Sequence, residues 1–156
     1  MPLEDFSGRL PVTTTFALPL TAYYIFLQGR VVVQRFTSNT VIGQDSVSPA
    51  DKKLAQRPDR LLAAVRAQTN YYENVPLALI LAGLVERDGG DKKVLTWVLG
   101  ALCVVRLLHA EAGVMSSNYK GKGRPIGFLG TILINAGLAV WAASRMAGYW
   151  TQSDGW

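Results

Sequence analysis

The chain has 156 residues, 49% hydrophobic and only 17% charged, which suits one folded domain and excludes a disordered chain. A formal charge of +5 and a pI near 9.6 invite a nucleic-acid reading, but no basic stripe is interleaved with exposed aromatics, so no nucleic-acid partner is expected. The apolar residues are bunched instead. Residues 12–29 and 126–144 contain no charge, and each run approaches the roughly 20 residues needed to cross a bilayer.

Taken in chain order, a polar, acidic lead (residues 1–11) argues against a cleaved signal peptide, so the first apolar segment is expected to be retained. Helix 1 is predicted over 12–35, with Pro19 bending it. A polar connection follows over 37–59, the longest loop, in which Ser48 can cap a short helical piece, PADKKLAQ. Helix 2, predicted over 60–86, is announced by Pro58 and Asp59 and should kink at Pro76. The turn RDGGDKK makes helices 2 and 3 antiparallel neighbours. Helix 3 is predicted over 93–115 and carries Cys103 as a small core residue. After the loop SSNYKGKGRP, helix 4 is predicted over 125–149, with Trp141, Tyr149, Trp150 and Trp156 as an aromatic belt. The fold class is all-α: an integral membrane four-helix up-and-down bundle.

Charge distribution orients that bundle. With the loops after helices 1 and 3 on one side, that side holds eleven cations against five carboxylates, +6; the other holds five against six, −1. By the positive-inside bias the first side is cytoplasmic, and both termini are non-cytoplasmic.

Helix 2 is polar in one place. Arg66, Asn70 and Glu73 are spaced four and three apart, which puts them within about 60° on one face, and leucines fill the same stripe farther along. In an up-and-down bundle they share a depth with Arg30 and Arg35 of helix 1, Arg106 and His109 of helix 3, and Arg124 before helix 4. This gives a layer of cationic and hydrogen-bonding groups with a single buried carboxylate, Glu73. A charge in hydrocarbon costs at least a few kcal/mol, so such groups face a partner, a cavity or a ligand. An internal network pairing Glu73 with Arg66, or with an arginine of another helix, would serve structure alone. The surplus of cations instead suits a small anionic ligand with an ammonium end: arginines for carboxylates, Glu73 for the ammonium, Asn70 for an amide. Glutathione is such a molecule.

The run RAQTNYYENVPLAL (residues 66–79) resembles the signature of the MAPEG family, the membrane-associated proteins in eicosanoid and glutathione metabolism, whose second helix carries Arg-Ala-x-x-Asn-x-x-Glu-x-x-Pro. Arg66, Ala67, Asn70, Glu73 and Pro76 match. RLLHAEAG (106–113) and GRPIGFLG extend the similarity over most of the chain. The resemblance implies a homotrimer with glutathione, as co-substrate, bound between subunits near the cytoplasmic face, and it calls for no metal. It implies glutathione-binding roles for Arg66, Asn70, Glu73, His109 and Arg30, and a thiolate-stabilising, catalytic role for Arg124. A tyrosine that several members carry four residues after the His109 position is Gly113 here.

The implied activity is that of a glutathione transferase, or a peroxidase, in which a guanidinium favours the thiolate for attack on a lipophilic substrate entering from the membrane lipids. The alternative is a non-catalytic lipid-binding or scaffold protein of the same fold. A proton pathway is disfavoured, because the polar groups give way to leucines.

Overall fold

The computed structural model describes residues 9–44, 59–116 and 121–152. The piece after Ser48, the polar lead before residue 9, Trp156 and the Trp150 side chain, all invoked above, lie outside the described residues.

Four helices follow in order: α1 (Pro11–Thr37), α2 (Arg60–Arg87), α3 (Lys92–His109) and α4 (Gly123–Gln152), with one π-helical turn, Ala110–Val114, closing α3. At about 1.5 Å per residue, the 27 residues of α1 extend for about 40 Å, longer than a hydrocarbon core of about 30 Å. Pro11–Thr37, Lys92–Val114 and Gly123–Tyr149 are long and apolar enough to cross a membrane. α2 matches them in length but carries Arg66, Glu73 and Glu86 along its course.

Local chemistry sets the helix ends. Asp59 accepts from the N–H groups of Leu61 and Leu62 at 2.9 and 3.2 Å, capping α2, and Asp91 caps α3 from Lys93 and Val94 at 2.8 and 3.0 Å. α2 ends where Gly89 takes φ +77°, a left-handed conformation that suits glycine, and the Gly90 N–H returns to the Val85 carbonyl at 2.8 Å. α1 has no side-chain cap of its own. Glu86, at the far end of α2, supplies one: its two oxygens accept from the N–H groups of Val12 and Thr13, both at 2.8 Å.

That contact shows α1 and α2 running antiparallel. Arg145 near the end of α4 donates to the Asp88 carbonyl in the α2–α3 turn at 3.0 and 2.7 Å, so α4 runs parallel to α2. Around the bundle the order is α1, α2, α4, α3, and α2 and α3 meet less extensively across the diagonal. The turn after α2 therefore joins antiparallel helices as expected, but α2 has α1 and α4 as its main neighbours. The core is built from Leu20 and Leu27 of α1, the small and medium residues Ala67, Val75, Ala78, Ala82 and Val85 of α2, Leu95, Leu99 and Leu102 of α3, and Leu138 of α4. Small side chains on α2 let its neighbours approach closely, as membrane interfaces favour. The outward faces are apolar, Ile25, Phe26, Trp97, Leu133 and Val140 among them.

Two expectations need correction. α3 ends its α-helical course at His109 rather than at 115, because the Met115 N–H bonds the Ala110 carbonyl at 2.8 Å, five residues back. Glu73 is exposed in the protomer; the buried carboxylate among the described residues is Glu86, 5% exposed, drawn inward by the unsatisfied N–H groups at the start of α1.

Candidate functional site

The polar stripe of α2 opens onto a cleft of about 680 Å³, lined by Arg66, Thr69, Asn70, Glu73, His109, Val114, Arg124, Pro125 and Phe128. Five of the six residues singled out from the sequence therefore share one wall system, drawn from α2, the end of α3 and the start of α4.

On α2, the opposite face carries Ala67, Tyr71, Val75 and Ala78, all buried against the core, which leaves Arg66, Asn70 and Glu73 on the open side. Among the described residues neither Arg66 nor Glu73 makes an ion pair or a side-chain hydrogen bond, so the internal Arg66–Glu73 lock is absent from the protomer. Asn70 is engaged from behind: its Oδ1 accepts from the Arg106 guanidinium at 2.9 Å, and its backbone carbonyl accepts from Asn74 Nδ2 at 2.8 Å.

His109 and Arg124 are joined. The His109 ring, 4% exposed, donates from Nδ1 to the Arg124 carbonyl at 3.1 Å. That bond fixes the neutral tautomer and leaves Nε2 as an acceptor. Glycines hold the same junction close. A Cβ on Gly127 would lie 2.3 Å from His109 Cβ, and one on Gly113 would lie 2.6 Å from the Arg124 backbone nitrogen. Position 113 therefore has no room for a side chain, which accounts sterically for the missing tyrosine. Ser116 completes the frame, donating to the Gly113 carbonyl at 2.9 Å and accepting from the Gly121 N–H at 3.0 Å. The start of α4, and with it Arg124, is thus pinned to the end of α3 from both sides of the intervening loop.

Arg30 is not among the residues lining the cleft. It makes a two-point contact with Glu111 at 3.0 and 3.1 Å, lies over the Phe26 ring at 4.6 Å, and shares Glu111 with the Tyr23 hydroxyl, which donates at 2.8 Å. Glu111 belongs to the π turn, so this cluster ties α1 to the segment that follows His109. Glu111 was not read from the sequence as a partner; the available signal was a second carboxylate at that depth, two residues after His109. Thr69, Val114, Pro125 and Phe128 were also not anticipated, and they carry no chemistry that would have marked them.

The arrangement can receive an anion between Arg66 and Arg124, an ammonium at Glu73, and hydrogen-bonding groups at Asn70 and His109. Beyond the cleft, an apolar groove of about 240 Å³ runs between α1 and α2 past Leu20, Tyr24, Tyr72 and Leu79. Against known proteins, the model of the MAPEG family matches residues 13–144. No curated protein and no solved structure matches the chain.

Proposed function

Because the chain belongs to the MAPEG family, we propose that it is a membrane-embedded, glutathione-dependent transferase, with hydroperoxide reduction as the related activity. The observation that carries the reading is the cleft in which Arg66 and Glu73 stand unpaired beside Asn70, His109 and Arg124. Unpaired charges of opposite sign on one helix face, in a protein whose outer surface is apolar, suit a zwitterionic ligand with excess negative charge.

In this reading Arg66 takes a carboxylate of glutathione, Glu73 the ammonium, and Asn70 a backbone amide of the tripeptide. Arg124 stabilises the thiolate. A free thiol ionises near pH ~8.5, and a guanidinium alongside lowers that value, raising the fraction of nucleophile at neutral pH. The thiolate attacks an electrophilic carbon on a lipophilic molecule delivered from the bilayer, forming the thioether as the leaving group departs. His109 holds the Arg124 backbone and offers Nε2 to the cleft. The protomer leaves the cleft open on one side, so the reading includes a homotrimer in which a neighbour closes it. The site lies on the cytoplasmic side, and all four helices span the bilayer.

The test is direct. Purified protein in detergent should bind glutathione in a calorimeter, and absence of binding removes the reading. For Arg124→Ala, the pH profile of conjugation to a model electrophile should move to higher pH, since loss of the guanidinium raises the thiol's pKa. The rate at neutral pH then falls about tenfold per unit of displacement. An unmoved profile assigns activation to another group.

A further inference from the structure

The largest fully buried side chain among the described residues is a cation, Arg106, 1% exposed. No carboxylate among the described residues pairs with it. Its Nη2 donates to Asn70 Oδ1 at 2.9 Å, its Nη1 approaches Thr131 Oγ1 at 3.4 Å, its guanidinium lies 5.2 Å from the centre of the Tyr71 ring, and its Nε has no partner. Thr131 is itself held, donating to the Gly127 carbonyl at 2.7 Å, and Tyr71 donates to the Leu20 carbonyl at 2.8 Å. Groups from three helices therefore fix where this guanidinium sits. A buried charge held by neutral groups is costly, and it is retained where it does something for a neighbouring site.

What it does follows from donor chemistry. A guanidinium has five N–H donors and no acceptor, so the Asn70 atom facing it has to be the carboxamide oxygen. With Oδ1 committed inward, the group Asn70 can offer a ligand in the cleft is its Nδ2 amide, a pure donor. We propose that Arg106 is a positioning residue that locks the Asn70 carboxamide in one of its two flips. At position 70 the cleft then selects an acceptor, a carboxylate or amide carbonyl, and rejects an ammonium. The ammonium is left to Glu73, the one carboxylate among the described residues that line the cleft, so Asn70 and Glu73 together fix which way round a zwitterionic peptide lies. This rests on the glutathione reading, and it adds a polarity to the site.

The two orientations predict opposite signs for one substitution. Asn70→Asp keeps an oxygen for Arg106 and gains an ion pair with it, so the variant should melt at or above the wild-type temperature. It replaces the donor in the cleft with an anionic oxygen, so glutathione binding measured by calorimetry should weaken tenfold or more. Binding that is unchanged or tighter shows position 70 facing the ligand's ammonium and overturns the proposal.

A second pair of variants stands if Asn70→Asp fails to fold. Arg106→Gln, which can turn its own amide either way, should raise the KM for glutathione about tenfold while kcat at saturating glutathione stays within threefold. Arg106→Lys, also a donor without an acceptor, should restore KM to within threefold of wild type. Wild-type KM in Arg106→Gln, or equal loss in both variants, overturns the proposal. Wild-type protein that binds no glutathione fails at the earlier step, taking the underlying reading and this proposal with it, and is distinguishable from either result with the variants.

Discussion

Glu86 lies at the end of α2 with both carboxylate oxygens on the first free N–H groups of α1. The helix dipole favours a negative group there, and burial at 5% exposure leaves little water to replace it. Glu86→Gln keeps one acceptor and turns an N–H donor toward the second N–H, so it should lower the stability of the purified protein by about 1.5–3 kcal/mol. Thermal unfolding in detergent measures this, while glutathione binding in the distant cleft should not change. From sequence, a carboxylate ending an apolar helix reads as a solvated terminus, and Glu86 was invisible because its partner is 74 residues away. Arg66, Asn70 and Glu73 were legible because periodicity alone puts them on one face. The protonation-independent fact about Asn70, which atom faces Arg106, needed the packing of α2 against α3.

Between elements, α3 and α4 approach closely, and glycine makes it possible. Gly127 brings α4 against His109 and the Val105 carbonyl, where a Cβ would meet atoms at 2.3 and 2.7 Å, whereas a Cβ on Gly137 meets nothing within 4 Å. Gly127→Ala should therefore force the helices apart at a cost of about 1–3 kcal/mol and disturb the His109–Arg124 bond. Gly137→Ala on the same helix should be neutral or slightly stabilising, because alanine is the better helix former. Melting temperatures of the two variants, with glutathione affinity beside them, separate the positions; equal effects would place the close approach elsewhere. Composition predicted four helices and their bounds to within a few residues at most ends, since apolar runs and cap residues are local signals. The π turn and the ring order were not legible, because both depend on which small residues of one helix meet the backbone of another.

At the scale of the molecule, the open cleft is a problem of solvation. Arg66 and Glu73 are exposed on a helix whose other outward residues include Tyr72, Leu77, Ile80 and Leu84, so in a bilayer the lone protomer would present two charges at the depth of an apolar surface. Each would cost a few kcal/mol there. Covering that face with a second copy would remove the cost and close the cleft, which is the physical argument for self-association and so for the proposed homotrimer. Native mass spectrometry of detergent-purified protein should give three times the 17.0 kDa chain mass. Dissociation should increase when Leu77 and Ile80, outward on the same helix, are both changed to Asn, and protomers freed in this way should lose glutathione binding, since half the enclosure is gone. A monomer that binds glutathione as tightly as the assembly would show the protomer's own cleft to be sufficient. It would then leave Arg66 and Glu73 to be shielded by headgroups, placing the α2 stripe at the membrane interface rather than within the hydrocarbon.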